Sequence, residues 1–175
     1  GTSAHQYRLH LRIAAALQRL QDGDRDLAGL AHDLGFCSQS HLGDVMQRAF
    51  AEARGLSAGR HALALEAGDE AEFAGSEAEL HSALANLLNN AVRYTPEGGR
   101  ITLGQAWRDE GGLELAVADT GVGIAREHLP RLTERFYRVD GSRSRDTGGT
   151  GLGLAIVKHV AQRHGGEIDI HSEPG

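Results

Sequence analysis

Much of what this chain could be is excluded by what it lacks. It holds one cysteine, Cys37, so it has no disulfide framework, which is consistent with a reducing cytosol. His5, His10, His32 and His41 show no metal-ligand spacing with that cysteine and read as ordinary surface or core histidines. No apolar run approaches the roughly 20 residues that span a bilayer, and no signal peptide is visible, so the chain reads as soluble. Internal repeats and low-complexity tracts are absent. The first 55 residues contain no lysine, and their six arginines are balanced by six acidic residues. Such a neutral segment lacks the basic footprint that drives binding to a phosphate backbone.

What is present begins with glycine. The run Asp146-Thr-Gly-Gly-Thr-Gly-Leu-Gly-Leu-Ala-Ile-Val-Lys158 passes from glycines directly into a helical pattern. Glycine lets the backbone approach an anion closely, and the unpaired amides and dipole of a helix start favour negative charge. A structural turn would use the same glycines. Upstream, residues 76–96 open with a capping box, Ser76 and Glu79, and stop at Pro96, predicting a helix. Leu80, Leu84, Leu87, Leu88 and Ala91 form its apolar stripe, with Glu79, Ser82, Asn86, Asn90 and Arg93 opposite. A solvated face would account for these polar residues, but asparagine is a poor helix former, and two of them sit four apart. An amide carbonyl is a hard oxygen ligand of the kind Mg²⁺ takes alongside substrate phosphates.

Alternating Leu113, Leu115 and Val117 predict a strand ending at Asp119, followed by Gly121 and Gly123. A buried carboxylate there can accept a hydrogen bond from an exocyclic amine, the distinguishing group of adenine, and such a partner offsets its desolvation; an ordinary Asp-Thr-Gly turn is the alternative. Leu132-Thr-Glu-Arg-Phe-Tyr-Arg-Val-Asp140 follows, then a polar, Gly- and Arg-rich run over 141–149 that reads as a lid.

Taken in order, Asn86/Asn90, Asp119-x-Gly121-x-Gly123, Phe136 and Gly149-x-Gly151-x-Gly153 resemble the N, G1, F and G2 boxes of the catalytic ATP-binding domain of sensor histidine kinases, most closely the PhoR type. The resemblance implies an α/β sandwich of the Bergerat type, with a mixed sheet and helices on one face. It implies ATP and Mg²⁺ as cofactors, with Asn90 on the metal, Asn86 in support, and Arg93 and Tyr94 against the nucleotide. Asp119 would read adenine, with Gly121, Gly123, Ile124 and Phe136 beside it. Gly149, Thr150, Gly151, Leu152, Gly153 and Leu154 would surround the phosphates. In ATP-hydrolysing relatives of that fold a glutamate stands where Asn86 does here. An amide cannot act as a general base, so the resemblance implies phosphoryl donation to a histidine, with Asn86, Asn90 and Arg93 as catalytic candidates. The implied partners are ATP or ADP, a dimerisation and phosphoacceptor domain, and a response regulator.

The first 55 residues read differently. Leu9, Ile13, Leu17 and Leu20 mark one helix, Leu27, Leu30, Ala31 and Leu34 a second, and Gly35-Phe36 a turn. Leu42, Val45, Met46, Ala49 and Phe50 mark a third helix capped by Ser38. The run from Asp26 to His41 resembles the second helix-turn-helix of AraC-type transcription regulators, so residues 1–55 are expected to be a small all-α segment and 56–175 the ATP-binding domain. A DNA-binding regulator with an ATP-binding module is the alternative function. Gly43 and Asp44 in the recognition helix work against it, leaving DNA a weak partner. Residues 51–60 read as a linker. Strands are expected near 62–65, 72–74, 101–117 and 167–171. No segment resembles a phosphoacceptor-histidine motif, and the Gly-Thr-x-Phe strand that closes the sheet in the resembled family is not found after Gly175. The combination reads as a chimera, whether a fusion, an engineered chain or a chain assembled from fragments, working in the cytoplasm or as the cytosolic part of a membrane-bound sensor.

Overall fold

The computed structural model describes residues 5–12, 39–66, 68, 72–108, 112–139 and 150–174. In chain order these form β1 (His5–Arg12), β2 (Gln39–His41), α1 (Leu42–Ser57), β3 (Ala62–Glu66), β4 (Glu72–Ala74), α2 (Glu77–Tyr94), β5 (Arg100–Arg108), β6 (Gly112–Asp119), a 3-10 turn (Leu129–Arg131), α3 (Gly153–Arg163) and β7 (Glu167–Ser172). The main sheet has the order β3-β5-β6-β1-β7. Its β3/β5 pair is parallel and its other pairs are antiparallel. Strands β2 and β4 pair separately.

Helix α2 forms where its capping signals placed it. Ser76 Oγ accepts a hydrogen bond from the Glu79 amide at 3.4 Å, and the helix ends at Thr95, whose N–H reaches Ala91 O, just before Pro96. Leu80, Leu84, Leu87, Leu88 and Ala91 are all buried. They meet Ile101 and Leu103 of β5 and Leu113, Leu115 and Val117 of β6, with Val45, Met46 and Ala49 of α1 and Val157, Val160 and Ala161 of α3 completing one core. This is the expected α/β sandwich with a mixed sheet.

The N-terminal reading needs correction. Residues from His5 to Arg12, whose Leu9 was assigned to a helix, are a strand paired along its whole length with β6 and, from His5 to His10, with β7. Apolar residues at 7, 9 and 11 have a period of two, and two hydrogen-bonded ladders outweigh the helical spacing of Leu9 with Ile13, Leu17 and Leu20. Strand β1 therefore stands between β6 and β7 in the main sheet. The third helix runs from Leu42 to Ser57 rather than from Ser38 to Phe50, because residues 39–41 pair with β4 and because Ala53 and Ser57 are buried. The expected linker over 51–60 is thus mostly helical, and the expected boundary after residue 55 falls inside α1. Strand β4 belongs to the small sheet, not the mixed one. The helices expected around 13–20 and 27–34, and the Gly35-Phe36 turn, lie outside the described residues.

Tyr7 of β1 is buried in the core. Burial pushes its phenol pKa up, and the neighbouring Asp119 carboxylate and Tyr94 add to the rise. A raised pKa favours the protonated phenol in the folded state. This stabilisation is complete below the unfolded value near ~10 and is lost as pH climbs past it. Urea melts run from neutral to strongly alkaline pH should show wild type losing stability faster than Tyr7→Phe; parallel declines would mean that the phenol titrates freely.

Candidate nucleotide site

The polar face of α2 is the floor of the site. Asn86 and Asn90 are half-buried on it, while Arg93 and Tyr94 at its end are exposed. Asn86 Nδ2 donates to Ser82 O at 2.8 Å, one turn back, which fixes the plane of the amide. Beside the C-terminal end of this helix β6 delivers Asp119, which is only 4% exposed. Its Oδ1 accepts the Gly121 N–H at 2.8 Å, an Asx-type turn that partly offsets the cost of burying the carboxylate.

The turn after Asp119 is tied down from three directions. Thr120 Oγ1 accepts the Arg100 N–H at 2.9 Å. The Val122 N–H donates to Tyr94 O at 3.2 Å. The Ile124 N–H donates to Ser172 Oγ at 2.8 Å. Gly123 has a φ of +88°. Asp119, Gly121, Gly123 and Ile124 are therefore held against the end of α2 that carries Arg93 and Tyr94.

The opposite wall joins the Phe136 segment to the start of α3. The Phe136 N–H donates to Gly151 O at 2.9 Å. A Cβ at Gly151, whose φ is +70°, would lie 2.9 Å from both Cα and the carbonyl carbon of Phe136. Phe136 itself takes a φ of +65° and is 71% exposed. Sequence inspection missed the anchor beneath it. The Tyr137 hydroxyl lies 2.7 Å from His128 Nδ1, the Arg131 guanidinium sits 4.3 Å from the centre of the Tyr137 ring, and Lys158 Nζ reaches Thr133 Oγ1 at 3.5 Å. These partners lie 6 to 25 positions apart with no distinguishing spacing. Thr150 is exposed, Leu152 and Leu154 are half-buried, and Leu154 packs on the core. Gly149 and the expected lid over 141–149 lie outside the described residues.

Gly153, the first residue of α3, faces Asn86. Both asparagines, the Asp119 turn, Phe136 and the glycines at 151 and 153 thus gather around the polar face of α2 and the N-terminus of α3. The histidine kinase-, DNA gyrase B- and HSP90-like ATPase family matches residues 75–175. The chain belongs to this family. It is 58% identical over 125 residues to the phosphate regulon sensor protein PhoR of Pseudomonas aeruginosa, covering 71% of this chain and 28% of that protein. Against the sensor-like histidine kinase SenX3 of Mycolicibacterium smegmatis it is 52% identical over 101 residues, 58% of this chain and 26% of the relative. The chain therefore spans about a quarter of the length of these relatives. Among solved structures, the mycobacterial sensor histidine kinase MprB superposes with a TM-score of 0.67 at 31% identity, covering 73% of this chain and 82% of that one. Full-length ShkA in complex with AMPPNP shares the fold, with a TM-score of 0.65 at 24% identity over 92% of this chain and 36% of its own.

The Gly151 contact gives a direct test. Gly151→Ala combines a strained φ with overlap against Phe136 backbone and should cost about 1–3 kcal/mol in denaturant unfolding. Gly43→Ala, at a helical site where an added Cβ meets nothing within 4 Å, should be neutral or mildly stabilising. Equal effects of the two would show that the approach of Phe136 to Gly151 is slack.

Proposed function

We propose that this domain binds ATP with Mg²⁺ and donates the γ-phosphoryl group to a histidine on a phosphoacceptor domain, which in turn serves a response regulator. The observation that carries the reading is that α2 meets the start of α3 at Asn86 and the turn after buried Asp119 at Tyr94, with half-buried Asn90 between them on the helix. Asp119 lies beside the C-terminal end of α2, where an adenine amine would supply a donor to a desolvated carboxylate. Gly121, Gly123 and Ile124 shape that end, and Tyr94 and Arg93 flank it.

The first amides of α3, with Thr150, Gly151 and Gly149 before them, would receive the phosphates, since a helix start offers unpaired N–H groups and positive potential. The Asn90 amide oxygen suits Mg²⁺, which takes one or two protein oxygens and completes its shell from phosphates and water. When bound, the ion would neutralise charge on the transferring group. In the transfer an acceptor imidazole nitrogen bonds to the γ-phosphorus as the bridging P–O bond breaks, releasing ADP. The chain's own contribution is positioning and electrostatic stabilisation, because Asn86 and Asn90 carry amides and cannot take a proton. Among the described residues no helix is long and apolar enough to cross a membrane, and a domain that draws on ATP would work in the cytoplasm.

Calorimetry with ADP and a non-hydrolysable ATP analogue, with and without Mg²⁺, tests the binding. Asp119→Ala should weaken both nucleotides by about tenfold or more, as expected for a lost hydrogen bond to a charged group. Asn90→Ala should instead remove most of the gain that Mg²⁺ brings; normal binding by both variants would overturn the site. For the chemistry, labelled ATP should leave this chain unlabelled and label an acceptor domain from a related kinase supplied in trans. An acid-labile label on the chain itself would contradict that assignment.

A further inference from the structure

Asn86 and Gly153 make a contact whose geometry separates their roles from that of Asn90. An ideal Cβ on Gly153 would lie 2.9 Å from Asn86 Oδ1, 3.6 Å from its Cγ and 3.8 Å from its Cβ. The Asn86 amide oxygen therefore occupies the space a Cβ on Gly153 would need, with the rest of the side chain in ordinary contact behind it. Oδ1 sits there because Nδ2 is engaged with Ser82 O at 2.8 Å, so the amide cannot swing aside without giving up that bond. The oxygen faces the first residue of α3, where the helix dipole presents its positive end and attracts a carbonyl oxygen. Asn90 lies one turn further along α2, about 6 Å of rise away. Asn86 thus directs its one potential metal ligand at a neighbouring helix.

We propose that Asn86 is a positioning residue: its amide oxygen sets the closest approach of α3 to α2, and position 153 is glycine because that approach leaves no room for a Cβ. The distance matters for the nucleotide because the amides at the start of α3 are the groups assigned to the phosphates. Displacing this helix end by a few tenths of an ångström weakens several charge-assisted hydrogen bonds together. The inference rests on the nucleotide reading for its consequence, although the contact itself does not. It replaces the expectation that Asn86 supports the metal.

The test is a double-mutant cycle of Gly153→Ala and Asn86→Ser in the full chain, read in two ways. The first is calorimetry with ADP, the ATP analogue and adenosine. Gly153→Ala should weaken both phosphorylated ligands about tenfold and change adenosine little, while Asn86→Ser added to it should restore most of the loss. Asn86→Ser alone should keep the affinity gain that Mg²⁺ brings. The second is thermal unfolding without nucleotide, where the double variant should melt above the sum of the two single losses. Additive losses in both readouts, parallel loss of adenosine, or an Asn86→Ser chain that loses the Mg²⁺ gain as completely as Asn90→Ala would each overturn the proposal. If wild type bound no ADP, the nucleotide reading would fail, and the thermal cycle would still decide the coupling.

Discussion

Helix α2 has to satisfy two surfaces at once, and the rest of the molecule is arranged around that constraint. Its apolar stripe is buried against β5 and β6, so its rotation about its own axis is set by the core, and Asn86 is turned toward the start of α3 as a consequence. Two buried histidines hold its ends. His164, closing α3, accepts the Ser76 N–H through Nε2 at 3.3 Å and donates through Nδ1 to Val160 O at 2.8 Å. His61 donates through Nε2 to Thr95 O at 2.9 Å and takes the Ser57 hydroxyl on Nδ1 at 3.0 Å, joining the end of α1 to that of α2. The Arg163–Glu79 pair, at 3.0 Å, adds a half-exposed contact at the first end. Because such an exposed pair contributes little, the histidines carry the alignment.

The site that results is built more from backbone than from charge. Residues 56–175 carry 12 basic and 18 acidic residues, so net charge would repel an anionic ligand. Local amides and a helix start oppose that repulsion at short range, where the backbone can be brought close. Positive φ values at Gly123, Phe136 and Gly151 make that approach geometrically available. At Asp119 too the backbone contributes, since the Gly121 N–H donates to the buried carboxylate.

Some of this is legible in the sequence. The limits of α2 followed from Ser76, Glu79 and Pro96 because capping is local chemistry read over three or four residues. The strand ending at Asp119 followed from alternation, and the four boxes pointed to the fold family through residue types at fixed order. Strand β1 was misread because eight residues with apolar positions at 7, 9 and 11 carry a weak pattern, and two strands more than 100 positions away decide their conformation. The extension of α1 through residue 57 was missed for a related reason: a small Ala and a polar Ser give only a weak apolar signal, yet α1 buries Ala53 and Ser57. The Tyr137 anchor had no sequence signal, because hydrogen-bonding and stacking partners need only be near in space.

By itself the sequence determined the local elements and the chemical inventory: which helix has a polar face, where a carboxylate follows a strand, and where glycines precede a helix. These depend on the conformational preferences of short segments and on residue type. Only the tertiary structure decided which strand stands between β6 and β7, that Asn86 points at Gly153 while Asn90 lies a turn away, and that Phe136 is clamped to Gly151. Those outcomes depend on backbone ladders and close packing between distant segments, and no pattern in one segment encodes the distance to another.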